Sequence, residues 1–175
     1  MPLIYVTGPS GAGKSSIRKE LVSRGYEAHD TDEDGISTWC DIETREPVEY
    51  LKAENRPADW LSKHAFYVSA DRVKTLAEAA KDKTIFLCGI PSNDLELATY
   101  YDKVFCLVID EITMRQRIAT RETNNFGKSP DELKLISYWH GKMLERYRDF
   151  GATMIDAQRP LDVVVDEIIS RTINE

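Results

Sequence analysis

The chain predicts a doubly wound α/β domain built on a parallel sheet, and three observations carry that prediction. β-rich runs alternate with helical patterns along all 175 residues, as strand, helix, strand units do. Three of the five β-rich runs are almost wholly apolar, as strands covered on both faces must be. The first run passes directly into a glycine-rich turn that opens a helix. A chain of this length supports one domain with a substantial core, so residues 1–175 are expected to form a single unit.

The first strand is "LIYVT" at 3–7, and "GPSGAGKSS" at 8–16 follows it. Gly8, Gly11 and Gly13 let the backbone curl and approach a ligand closely. Inward-facing amides, closed by a helix N-terminus, suit an anion, and Lys14 adds a full positive charge. Gly8 to Ser15 match G-x-x-x-x-G-K-[ST] at every specified position, in the strand, loop, helix context that the motif requires. The expected ligand is a nucleoside triphosphate with Mg²⁺, which the loop alone does not assign to a kinase, a GTPase, a motor or a sensor, and Ser10, Ala12 and Ser16 complete the loop.

A helix over 14–24 leads to the second strand, "YEAHD" at 26–30. In "HDTDED", Asp30 and Asp32 converge at the end of that strand, where open parallel sheets bind their ligands. A carboxylate there holds Mg²⁺ or accepts a proton from an acceptor hydroxyl. Asp32 is preferred for both roles over Asp30, against the alternative of a solvated acidic turn.

Residues 33–69 interrupt the alternation with Trp39, Trp60, Pro47 and Pro57, and predict an inserted helical excursion on the acceptor side. Its aromatics, Trp39, Trp60 and Tyr67, serve packing or stack on an aromatic acceptor. Arg45, Arg56 and Arg72 are candidates to clamp an anionic one. A helix over 70–81 leads to the third strand, "TIFLCG" at 84–89. "GIPSND" then brings Gly89, Ser92 and Asn93 to the crevice, with Asn93 as alternative N-cap of a helix over 93–100.

The fourth strand, "KVFCLVI" at 103–109, precedes a helix over 111–124 that sets Arg117 and Arg121 on one face and Arg115 on a neighbouring one. Permanently charged guanidinium groups stabilise the charge that a transferring phosphoryl group builds on its oxygens, with Arg121 ahead of Arg117 in that role. The alternative is a solvated helix face paired with Asp110, Glu111 or Glu122. "ETNNFGKSP" at 122–130, polar and carrying Gly127, Lys128 and Pro130, has the composition of a short mobile lid. A helix over 130–149, a strand "ATMID" at 152–156 and a helix over 160–173 complete the domain.

Thirty acidic against 23 basic residues, a net charge of −7, give no general attraction to nucleic acid or anionic membrane. Cys40, Cys88 and Cys106 are odd in number and form no C-x-x-C pair, so they are expected to be reduced core residues. His29, His64 and His140 have no metal-ligand spacing. No apolar run reaches bilayer length and the N-terminus lacks a signal-peptide pattern, which fits a cytoplasmic enzyme. The partners expected are ATP and a small-molecule acceptor, in a monomer or homodimer.

"GPSGAGKS" after the first strand, "DTD" after the second, Arg117-x-x-x-Arg121 entering a short lid and "DAQRP" after the last strand together resemble the P-loop small-molecule kinases. That family includes adenylate and other nucleoside monophosphate kinases, shikimate kinase and gluconate kinase, and the likeness spans nearly the whole chain in outline. It implies a three-layer P-loop NTPase sandwich with a five-stranded parallel sheet. It also implies that Lys14 contacts the β- and γ-phosphates, Ser15 ligates Mg²⁺ and Asp32 faces the acceptor or metal. Arg117 would stack on the adenine, Arg121 would reach the transferring phosphoryl, and Gln158, Arg159 and Pro160 would border the base. "CGIPSND" lacks the triple glycine of shikimate kinases, the lid has no zinc-ligating cysteines, and 33–69 does not match a nucleoside monophosphate clamp. The implied activity is transfer of the ATP γ-phosphate to a small molecule, a nucleoside or nucleotide ahead of a sugar acid, hydroxylated carboxylate or antibiotic. A nucleotide-binding regulator with weak ATPase activity is the alternative from another class. A GTPase fits less well, because neither N-K-x-D nor a D-x-x-G after the third strand is present.

Overall fold

A computed structural model describes residues 1–122 and 124–173. In chain order its strands and helices are β1 (Leu3–Thr7), α1 (Lys14–Ser23), β2 (Glu27–Asp30), β3 (Ser37–Asp41), α2 (Trp60–Lys63), β4 (His64–Val68), α3 (Ala70–Ala79), β5 (Ile85–Cys88), β6 (Lys103–Val108), α4 (Glu111–Thr120), α5 (Pro130–Phe150), β7 (Thr153–Asp156) and α6 (Leu161–Ile173). Short 3₁₀ turns lie at Ala53–Asn55 and Asp94–Tyr100, the second in place of the helix expected over 93–100.

The main sheet has five parallel strands in the order β2-β5-β1-β6-β7. Successive side chains of a strand point to opposite faces, and β1 divides accordingly. Ile4 and Val6 join a core with Ile17, Leu21, Phe86, Phe105 and Val165. Leu3 and Tyr5 join the opposite core with Val73, Leu87, Val104 and Tyr147. Helices thus cover both faces, and the apolar runs read from the sequence are the central strands. Among the described residues no helix is long and apolar enough to cross a membrane, and Cys40, Cys88 and Cys106 are free and buried.

Two further elements depart from expectation. The excursion at 33–69 is not mainly helical: β3 and β4 pair antiparallel, with Trp39 opposite Phe66, and the helical pieces are only Ala53–Asn55 and α2. Each strand is half of a pair whose partner lies more than twenty residues away, so no local periodicity betrays it. Asn93 does not cap with its side chain. It binds the backbone of Val68 twice, accepting from its N–H at 2.8 Å and donating to its carbonyl at 3.1 Å, and so ties the ribbon to the loop after β5.

The second departure is at α4, which ends at Thr120. Arg121 is its C-cap with extended backbone (ψ 143°). Arg117 and Arg121 therefore do not share a helical face, and Arg121 already belongs to the segment that follows. Thr123, within the expected lid at 122–130, lies outside the described residues.

Candidate active site

β1 delivers the glycine-rich turn to the carboxyl edge of the sheet. Gly8 crosses so close to β6 that a Cβ there would sit 2.7 Å from the Leu107 carbonyl, so only glycine fits. Gly13, at φ 99°, precedes Lys14 at the start of α1, and no side chain caps this helix. Its first amides, which lack intrahelical partners, remain available to an anion. Pro9 to Ser16 line one wall of a cleft of about 1730 Å³. The Lys14 ammonium donates to the Gly8 and Pro9 carbonyls at 2.7 and 3.0 Å. Burial lowers its pKa to about 8, against the opposing pull of Asp32 and Asp30.

The two aspartates after β2 divide their tasks. Asp30 is buried and accepts the Ser15 hydroxyl at 2.8 Å, while its other oxygen takes the Asp32 and Glu33 N–H groups at 2.9 and 3.2 Å. Asp32 lines the cleft and accepts from Thr31 Oγ1 at 3.0 Å. Burial, with repulsion from Asp30, raises its carboxyl above the usual range. Asp30 therefore touches Ser15, and Asp32 faces the cavity near Lys14 and Arg121, with which it interacts electrostatically. Amides, an ammonium and a hydroxyl beside a carboxylate fit a polyphosphate and a hard, oxygen-seeking cation.

Of the other expected site residues, Arg117, Arg121 and Arg159 line the cleft, and Gln158 and Pro160 do not. Arg117 spans from the Gly11 carbonyl (3.3 Å) to the Ala157 carbonyl (3.1 Å), bridging the glycine loop and the turn after β7. Gln158 turns to Asp110, donating to its carboxylate at 3.0 Å, and Ala157 takes its place in the wall. Arg121 donates to the Asn124 carbonyl at 3.1 Å and to that of Phe126. None of Arg45, Arg56 and Arg72 lines the cleft. Arg45 lies over Tyr67 and pairs with Glu96, and Arg56 is buried against Asp131 and Glu132.

The opposite wall carries Trp39, one of the aromatics singled out in the insertion, together with residues that local sequence reasoning misses: Tyr50 and Phe66 from the insertion, and Tyr138, Trp139, Lys142, Met143 and Arg146 from α5. The 138, 142, 146 and 139, 143, 147 spacings put these α5 residues on one stripe, a signal visible in "YWHGKMLERY". Beneath the stripe, the buried Asp94 accepts from Tyr5 OH at 2.8 Å, from Tyr147 OH and from Arg146 at 3.4 Å. Burial raises the Asp94 carboxyl. This group anchors Arg146 at the cleft floor and joins it to β1, because Thr7 Oγ1 donates to Tyr147 OH at 3.2 Å.

No family model matches the chain, and no curated protein matches it either. Among solved structures it is similar to a shikimate kinase from Aquifex aeolicus, with 18% identity, a TM-score of 0.59, and 97% of this chain and 95% of that one covered. A deoxyadenosine kinase from M. mycoides with bound dATP gives 16% identity and a TM-score of 0.54, over 98% of this chain and 99% of that one. A gluconokinase from Sinorhizobium meliloti gives 17% and 0.52, over 97% and 90%. The chain has the fold these P-loop small-molecule kinases share, a five-stranded parallel sheet with helices on both faces.

Proposed function

We propose that the protein is an ATP-dependent phosphotransferase that moves the γ-phosphate to a small-molecule acceptor, a nucleoside or nucleotide. The observation that carries this is the meeting of Lys14, Asp32 and Arg121 in one cleft whose far wall is aromatic and cationic. Lys14 and the loop amides would hold the phosphates, and Arg117 and Ala157 would border the base. Asp32, its carboxyl raised by burial and by repulsion from Asp30, would take the proton of the acceptor hydroxyl. Trp39, Tyr50 and Phe66 offer faces for a flat ring, and Lys142 and Arg146 offer positive charge for an anionic group. Ser15 with Asp30, or Ser15 with Asp32 as the sequence motif suggested, would hold Mg²⁺, which supplies charge neutralisation at the phosphates when bound. The likeness to nucleoside, shikimate and gluconate kinases supports the reaction type, and the aromatic wall supports the ring-bearing acceptor.

An ATP-consumption screen over nucleosides, nucleotides, sugar acids and aminoglycosides tests this. Turnover that rises sharply with one nucleoside or nucleotide supports the proposal. A response confined to sugar acids or aminoglycosides overturns the acceptor class, and nucleotide binding with no acceptor response overturns the transfer.

Three further results are expected. Polyphosphate binding needs the Lys14 ammonium, and a bound anion raises the lysine pKa from its value of about 8 in the free protein. Affinity for Mg²⁺ with a non-hydrolysable ATP analogue should be constant below pH 8 and fall as pH rises through it, by up to about tenfold per unit. Calorimetry between pH 7 and 9.5 checks the slope. Arg121→Ala should lower turnover roughly tenfold to a hundredfold with a smaller change in ATP affinity, since a group that meets the transferring phosphoryl acts mainly on the transition state. Trypsin cleavage after Lys128 should slow when the ATP analogue and acceptor are both present, as for a lid that closes over them.

A further inference from the structure

Composition alone predicts little burial across 122–130, yet Phe126 and Gly127 are seated. Gly127 is buried at φ 95°, and a Cβ there would meet Ile136 Cδ1 at 2.7 Å, so the backbone lies directly on α5. Phe126 packs on Trp39 of the insertion, with ring centroids 6.0 Å apart.

One carboxylate joins the two segments. Glu132, in the first turn of α5, is 2% exposed. Its Oε2 accepts the Gly127 N–H at 2.8 Å, and its Oε1 accepts Tyr50 OH at 2.6 Å and Arg56 Nη1 at 2.8 Å. The Arg56 side chain is itself 1% exposed and also pairs with Asp131 at 2.7 Å. A buried carboxylate persists only where partners replace its lost hydration. Burial pushes Glu132 up, but the bonds from Tyr50, Arg56 and Gly127 outweigh it and hold the carboxyl below its ordinary range. The Arg121 guanidinium is held by carbonyls of the same segment, those of Asn124 and Phe126.

We propose that Glu132 is a positioning residue: one oxygen holds the lid and the other holds the insertion, so Arg121 reaches its place beside Lys14 and Asp32 only while the insertion is docked. Tyr50 and Trp39 both line the cleft. An acceptor settling against them meets the anchor of the lid directly, and its presence is passed to Arg121 through Glu132 and the 124–127 backbone. The consequence for transfer rests on the kinase function proposed above. The link between lid and insertion does not.

Glu132→Gln would leave the buried Arg56 cation short of its counter-charge and destabilise the whole domain, so Tyr50→Phe, which removes one hydroxyl, is the primary variant. Trypsin should cut Tyr50→Phe after Lys128 roughly tenfold faster than the parent, as expected for losing one hydrogen bond to a charged group. Cutting after Lys81 and Lys83, in the exposed link between α3 and β5, should keep its rate and serves as the reference at a site away from the lid. With Mg·ATP as probe, Tyr50→Phe should lower kcat for hydrolysis without raising KM, and this loss should vanish in an Arg121→Ala background. An unchanged ratio of the two cutting rates, or losses that multiply independently of Arg121, would overturn the proposal. Proteolysis needs no nucleotide. A protein that turned over no ATP yet loosened its lid in Tyr50→Phe would overturn the kinase function and support the link.

Discussion

Lys14→Ala is expected to reduce phosphoryl transfer about a thousandfold while leaving the melting temperature close to that of the parent, the range found when one preorganised electrostatic contact is removed. The side chain packs no part of either core, and its partners are the Gly8 and Pro9 carbonyls of its own loop. Burial already weakens its charge in the free protein. Removing it therefore relieves a desolvation cost in the fold, while a bound polyphosphate would lose the cation of the loop. Kinetics together with thermal melting separate the two effects. Near-parental turnover at an unchanged melting temperature would mean that the loop has no part in transfer.

Asp32→Asn is expected to lower kcat by about a thousandfold, within the span of general acid–base contributions, with little change in the Kd for ATP. The substitution keeps the size of the side chain and its bond from Thr31. What it removes is the basic oxygen that faces the cleft. Asp30→Asn is the informative comparison, because Asp30 is buried and accepts from Ser15, Asp32 and Glu33. An amide there would place an NH₂ against a donor, disturbing the turn and the melting temperature along with the rate. Equal and small effects at the two positions would reduce the acidic run to a solvated turn.

How much of this was legible in the sequence follows from the range over which each feature is encoded. The glycine-rich loop occupies eight contiguous residues, and its geometry depends on glycines at fixed offsets, so its place between β1 and α1 can be read where it stands. The five parallel strands are legible because burial on both faces leaves them apolar. The ribbon is hidden, because "STWCD" and "HAFYV" become strands only by pairing with each other. Glu132 is hidden more deeply. Its partners Tyr50 and Arg56 lie 82 and 76 residues away, and in sequence it is one acidic residue in a first helical turn, where acidic residues are ordinary. Arg121 was legible as a residue but not in its setting. Helical spacing carried it onto a face with Arg117, whereas the chain leaves the helix one residue earlier.

The strand that launches the phosphate loop is flanked in the sheet by β5 and β6, so Leu3 is paired with Ile85, and Ile4 with Phe86 and Lys103. Both neighbours are made long after the loop itself, and closing such distant pairings is the slow part of assembling a sheet. As the chain emerges during synthesis, the first thirty residues can hold the motif without holding the cradle, because the Leu107 backbone against which Gly8 is pressed has yet to be made. Nucleotide capture by nascent chains of increasing length should thus switch on only once β6 is free to pair, and a fluorescent ATP analogue would time the folding of the whole domain rather than of its first segment.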